Sequence, residues 1–218
     1  MKLETWLRMA NIAYKTEIPT DLTQAPKGKV PYIEYKGKRI GDSTLIIEML
    51  TKKKGIDLDC DLTSTQKAVS LAFRRMLNEN TYWGCTYIRY KIDDNWQLYK
   101  QALTNLYVAG RSTLEWNNFL EQMRSTISHQ LYEQGMGRHS DREVFQIIAA
   151  DFQALSDYLA DKAFFMGDRP TTLDATAYAC IGNIIAPPFK SEIVDFVMQL
   201  ENLGQYYQRM KQNFFPEI

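Results

Sequence analysis

Two histidines and three cysteines are the only members of their kinds in 218 residues. His129 and His139 have no cysteine pair beside them, which leaves no recognisable metal site. Cys60, Cys85 and Cys180 stand far apart and form no Cys-x-x-Cys, so neither a disulfide framework nor a dithiol redox motif is present. That usage fits a reducing, cytoplasmic setting. Net charge is absent as well: 26 basic residues balance 26 acidic ones. No global field draws the chain to nucleic acid, anionic membrane or acidic substrates. Long apolar runs are missing too. The first residues are amphipathic and carry Glu4, so they make no secretory core. The most apolar stretch, ATAYACIGNIIAPPF, is too short to span a bilayer and is broken by Asn183 and two prolines. There is no transmembrane segment, internal repeat or low-complexity tract.

What remains is an ordinary globular composition, 45% hydrophobic and 24% charged, long enough for a sizeable core. The chain opens on an amphipathic helix, because Leu3, Trp6, Leu7 and Ala10 share one face. That face needs a packing partner. Residues 13–18 read as one strand and 19–29 as a loop. Two strands follow, 30–35 and 39–41, around Lys36-Gly37-Lys38. A helix then starts at Asp42 or Ser43, buries Ile46, Met49 and Leu50, places three lysines in its last turn and stops at Gly55.

A polar linker, IDLDCDL, separates this half from one that reads as helix almost throughout. Thr63 and Gln66 suit a capping box before a stripe of Val69, Ala72, Phe73 and Met76. An aromatic stretch, NTYWGCTYIRYKIDDNWQLYKQAL, precedes a helix over 114–134. GMGRHS breaks that helix, and Ser140 or Asp141 starts another with Ile148, Phe152, Leu155 and Leu159 on one side. TTLDATAYACIGNII is apolar on most faces and belongs inside a bundle. One or two further helices close the chain.

Three stretches carry chemistry. In KVPYIEYKGKRIGDSTLII, a proline opening a strand gives up a ladder donor, which a cis Val30-Pro31 bond in a tight turn would accommodate. The helix start behind it offers free N–H groups to a carboxylate. Val30 would pair with a peptide backbone, Ser43 would take its carboxylate and Asp42 its amino group. The plainer reading is a β-hairpin and a capped helix. In the aromatic stretch, Trp83, Tyr87 and Tyr90 share one helical face and Tyr82, Thr86 and Arg89 the next. They line a hydrophobic pocket or fill a core. Cys85, in mid-helix, is a poor nucleophile. In GMGRHS, Arg138 could clamp a carboxylate and His139 could titrate near neutrality, or both simply serve a helix break.

Taken in order, these parts resemble the glutathione S-transferase fold, whose thioredoxin-like first half runs βαβ-loop-ββα. The resemblance extends to GDRPTTLDATAY, where Thr171 and Asp174 match the capping box of a buried helix, a structural role. A narrower resemblance rests on KLETWLRMANIAY, GKVPYIEYKGKRIGDSTLIIEML, YWGCTYIRYKIDDNW, GMGRHSDREV and FFMGDRPTTLDATAY. Together they are similar to the failed axon connections family, a metaxin-like branch of that fold, along nearly the whole chain.

The resemblance implies an α+β protein. A thioredoxin-like α/β domain over 1–56, lacking its first strand, is followed by an all-α glutathione S-transferase C-terminal bundle over 62–218. It implies glutathione as co-substrate, held by Val30, Pro31, Asp42 and Ser43. A second, electrophilic substrate would sit at Tyr82, Trp83, Tyr87 and Arg89, with Arg138 and His139 as further binding candidates. The sulfur-activating residue would fall just before Met1, and neither Thr5 nor Tyr14 replaces it. A fragment, a non-catalytic binder and a strand supplied by another chain all fit that start. The metaxin relatives imply the alternative of an interaction module with a protein partner, and the fold in general implies a homodimer.

Overall fold

The structure, a computed structural model, describes residues 1–18, 25–108, 110 and 112–217. The partner of the opening helix is plain in it. Helix α1 (Lys2–Met9) buries Leu3, Trp6 and Leu7, with Ala10 just past its end. They join Ile46, Ile47 and Leu50 of α2 (Ser43–Lys54) and Ala175 in one apolar cluster. Trp6 and Ile46 have no exposed surface. Full burial of such side chains stabilises by roughly 1.5–3 kcal/mol each.

The expected hairpin precedes α2. Strands β1 (Tyr32–Tyr35) and β2 (Lys38–Gly41) pair antiparallel, with Tyr32 opposite Gly41 and Tyr35 opposite Lys38. Lys36 and Gly37 both have positive φ, at 52° and 74°. That is the two-residue turn whose twist matches the strands it joins. Asp42 caps α2 as N-cap residue, and Gly55 ends it in the left-handed conformation.

The strand expected over 13–18 is not formed. A strand needs a ladder partner, and among the described residues β1 and β2 pair only with each other. Side chains hold the stretch instead. The Tyr14 hydroxyl donates to Glu4 at 2.8 Å and accepts from Arg8 Nε at 2.7 Å, and Lys15 pairs with Glu17 at 2.9 Å. Of the loop expected over 19–29, residues 19–24 lie outside the described residues; Pro26–Gly28 forms a 3-10 turn.

The chain divides into two compact units. The first comprises Met1–Phe73, Lys162–Ala179 and Gln208–Ile218, and the second Arg74–Asp161 and Cys180–Tyr207. Helix α3 (Ser64–Arg75) starts at the Thr63–Gln66 capping box and runs into a π-helical turn, Met76–Thr81. Of the expected stripe on α3, Val69 and Phe73 are half-buried and Ala72 is exposed.

Helices α4 (Tyr82–Tyr90) and α5 (Asp93–Tyr107) divide the aromatic stretch. Arg124 secures that break. Its Nε donates to the orphaned Tyr90 carbonyl at 2.8 Å, and its Nη2 pairs with Asp93 at 2.5 Å. Capping boxes at Ser112–Glu115 and Ser140–Glu143 start α6 (Thr113–Gln134) and α7 (Asp141–Leu159). The 3-10 turn Met136–Arg138 lies between them. Helices α8 (Thr172–Ile185), α9 (Glu192–Gln199) and α10 (Glu201–Phe214) complete the order. Among the described residues no helix is long and apolar enough to cross a membrane.

The start of α8 is buried and fully capped. Asp174 Oδ2 accepts from Thr171 N at 2.7 Å and Thr171 Oγ1 at 2.9 Å, and Oδ1 accepts from Phe165 N at 3.0 Å. Asp59, in the linker, accepts from Thr172 N at 2.8 Å. The first unit also ties α1 to its own last segment. Arg8 Nη1 donates to the Phe214 carbonyl at 2.8 Å and pairs with Glu217, while its guanidinium lies 4.2 Å from the centre of the Phe215 ring.

Candidate functional site

The peptide-binding candidates occupy one end of the hairpin and the start of α2. Val30–Pro31 is a cis peptide, and Val30 is 55% exposed. At Gly41 the backbone passes so close to Pro26 that a Cβ would lie 2.8 Å from its carbonyl oxygen. Glycine is therefore what lets the turn at Pro26 close onto the strand. Asp42, with φ of 77°, points its carboxylate back along the helix. Oδ1 accepts from Thr44 N at 2.8 Å and Leu45 N at 3.2 Å. One carboxylate oxygen thus serves as cap, and Oδ2 makes no hydrogen bond among the described residues. Ser43 makes none there either, through its hydroxyl or its N–H, and it stands at the positive end of the helix dipole.

In the second unit the aromatic candidates separate. Tyr82 is 48% exposed and meets Trp83 edge to face, with ring centres 5.2 Å apart. Tyr87 is buried and points elsewhere. Its hydroxyl donates to Asp141 Oδ1 at 2.6 Å and lies 3.5 Å from the His139 carbonyl. Burial, reinforced by the Asp141 carboxylate, pushes its pKa up to about 12, so it stays a phenol at neutral pH. Arg89 lies with a third group. Its Nη2 donates to Asn183 Oδ1 at 3.0 Å, and its guanidinium is 4.9 Å from the Tyr99 ring centre and 5.8 Å from that of Phe189. Arg138 donates from Nε to the Tyr132 carbonyl at 2.9 Å and covers the Tyr132 ring. His139 Nδ1 is 3.9 Å from Glu143, while Ser140 and Glu143 do the capping.

Sequence reasoning missed the polar knot beneath α4. Asp151, buried on α7, accepts from Thr81 Oγ1 at 2.5 Å and from Asn80 Nδ2 at 2.9 Å, both on the π turn just before Tyr82. Burial raises its pKa above the ordinary aspartate value, against the opposing pull of those two donors. The signal was legible: an acid interrupts the apolar face of Ile148, Phe152 and Leu155. The neighbours of Arg89 left no such signal, because Asn183 and Phe189 come from segments about a hundred residues away. The neighbouring Cys85 side chain and burial raise the Cys180 thiol well above its ordinary value. A thiol so raised is inert as a nucleophile at neutral pH. Among the described residues no group of three His, Cys, Asp or Glu side chains could hold a metal ion.

A small sheet with packed helices, then an all-helical segment begun by capped helices, defines a glutathione S-transferase fold. Solved structures agree on the fold. A beta-etherase of Sphingobium sp. strain SYK-6 superposes with a TM-score of 0.66 at 15% identity, over 100% of this chain and 94% of that one. The pattern of the glutathione S-transferase N-terminal domain matches residues 1–96, and that of the glutathione S-transferase C-terminal domain matches 148–210. The chain belongs to the glutathione S-transferase family. It is 36% identical over 204 residues to the isoprene-epoxide–glutathione S-transferase of Rhodococcus sp. (strain AD45), covering 92% of this chain and 84% of the relative. It is 32% identical to failed axon connections of Drosophila melanogaster, over 100% of this chain but 54% of that protein. Metaxin-2 of Mus musculus is 24% identical, over 100% of this chain and 82% of the relative. The chain therefore spans about half of failed axon connections and most of the other two.

Proposed function

We propose that the chain binds glutathione or a related thiol peptide and directs its sulfur to an electrophile. The 36% identity to an isoprene-epoxide–glutathione S-transferase, over 92% of this chain, carries the reading. The Val30 backbone would pair with the peptide, beside Pro31. Ser43 and the N-terminus of α2 would take the peptide carboxylate, and Asp42 Oδ2 the amino group. Tyr82, Trp83 and Arg89 would border the electrophile, with Tyr87, Arg138 and His139 more remote. In the transfer to an epoxide, a carbon–sulfur bond forms as a carbon–oxygen bond breaks, and the alkoxide takes up a proton. The three free thiols support a cytoplasmic setting.

The test is isothermal titration with glutathione. We expect binding at millimolar concentration or below, and at least fivefold weakening in Ser43→Ala. Absence of binding by the folded protein overturns the reading. A second reading, an interaction module like the metaxin relatives, draws on Leu106, Leu114 and Met198, which are 62%, 71% and 63% exposed on the helical part. It predicts a protein partner recovered without dependence on thiol.

A further inference from the structure

We propose that Arg89 is an anion-recognition group, so that the second ligand of the helical unit is an apolar body carrying a carboxylate. The inference rests on the reading of α4 as the electrophile-facing helix.

The guanidinium is unusual in its company. It lies against two aromatic rings, Tyr99 and Phe189, and donates to one neutral partner, the Asn183 side-chain oxygen. No carboxylate stands within ion-pair distance of it among the described residues, whereas Arg8, Arg124 and Arg169 each have one. Its Nε is buried without a hydrogen-bond partner. Nη1 makes no hydrogen bond among the described residues and is not fully buried.

A half-buried cation without a counter-charge loses hydration and gains only ring-face attraction in return. Two planar rings and one amide hold it in a fixed orientation. Its outward edge can then donate two parallel hydrogen bonds to a carboxylate without further ordering of the side chain. Such bonds are about twice as strong as neutral ones and strengthen as the ligand excludes water. Tyr82, two helical turns earlier on the same face of α4 and 48% exposed, supplies aromatic surface for the apolar body.

The experiment compares a matched pair of probes, 1-naphthoate and 1-naphthamide, titrated without glutathione against wild type, Arg89→Met and Asn183→Asp. The second variant keeps the guanidinium and gives it an internal counter-ion. We expect naphthoate to bind wild type at least fivefold more tightly than naphthamide. Both variants should lose that preference while naphthamide affinity stays within twofold. A smaller preference in wild type, its survival in either variant that folds, or no binding of either probe overturns the proposal. Glutathione affinity is read in a separate titration, so failure of the peptide-site reading is distinguishable from failure of this one.

Discussion

Ile148 occupies the space where Gly84 would carry a side chain. A Cβ built on Gly84 would overlap the Ile148 Cγ2 methyl and lie 3.2 Å from Cδ1. Helices α4 and α7 therefore cross with backbone against side chain, and Ile148 itself is fully buried. Gly84→Ala gains about 1 kcal/mol of helix propensity but overpacks this crossing, at a cost of roughly 1–3 kcal/mol. We expect net destabilisation in urea melts. Ile148→Ala alone should cost about 2–5 kcal/mol. The double variant should be more stable than the sum of the two, by a coupling of roughly 1 kcal/mol or more. Strict additivity would mean that the helices do not touch there.

Asp151 gives a pH-dependent expectation. Its folded pKa is raised by burial. The fold thus favours the protonated acid. The stability this group contributes is fully present below the ordinary aspartate range and is lost as pH rises through the raised folded value. Asp151→Asn keeps an oxygen for Thr81 and Asn80 and cannot ionise. Relative to wild type it should gain stability between pH 4 and pH 7. Asp151→Ala should lose about 1–3 kcal/mol at low pH, because two donors are stranded, and less as pH rises. Denaturant midpoints at pH 4 and 7 separate these outcomes. A constant difference between wild type and Asp151→Asn would refute the assignment.

At the start of α8, Asp174 accepts three hydrogen bonds with no exposed surface. Asp174→Ala should destabilise by about 3 kcal/mol or more, because buried N–H groups of Thr171 and Phe165 lose their acceptor. Asp174→Asn should also cost, since one amide nitrogen must face an N–H donor. Thr171→Val, which removes only the hydroxyl bond, should cost about 1 kcal/mol. If catalytic turnover fell in these variants while thermal midpoints held, the structural role would be wrong.

The parts of the fold written in local pattern were legible. The capping boxes at Thr63 and Thr171, the Lys36-Gly37 turn and the α1 stripe each depend on residues a few positions apart. The strand expected over 13–18 failed for the opposite reason. A short run of mixed polarity does not announce whether a ladder partner exists, and Tyr14 found Glu4 and Arg8 instead. The candidate site divides the same way. Asp42 at the start of α2 follows from helix capping. That Tyr87 turns to Asp141 while Arg89 turns to Asn183 depends on how distant helices cross, which spacing on α4 alone does not determine.

The bonds of Arg8 to Phe214 and Glu217 have a consequence for biosynthesis. Helix α1 leaves the ribosome well before its partners in that contact, which are encoded 206 residues and more downstream. The unit it belongs to also draws on Lys162–Ala179. Vectorial synthesis therefore leaves the opening helix without its full set of contacts while the intervening helices are made. The second unit can begin packing first, and the unit that holds α1 is closed from behind.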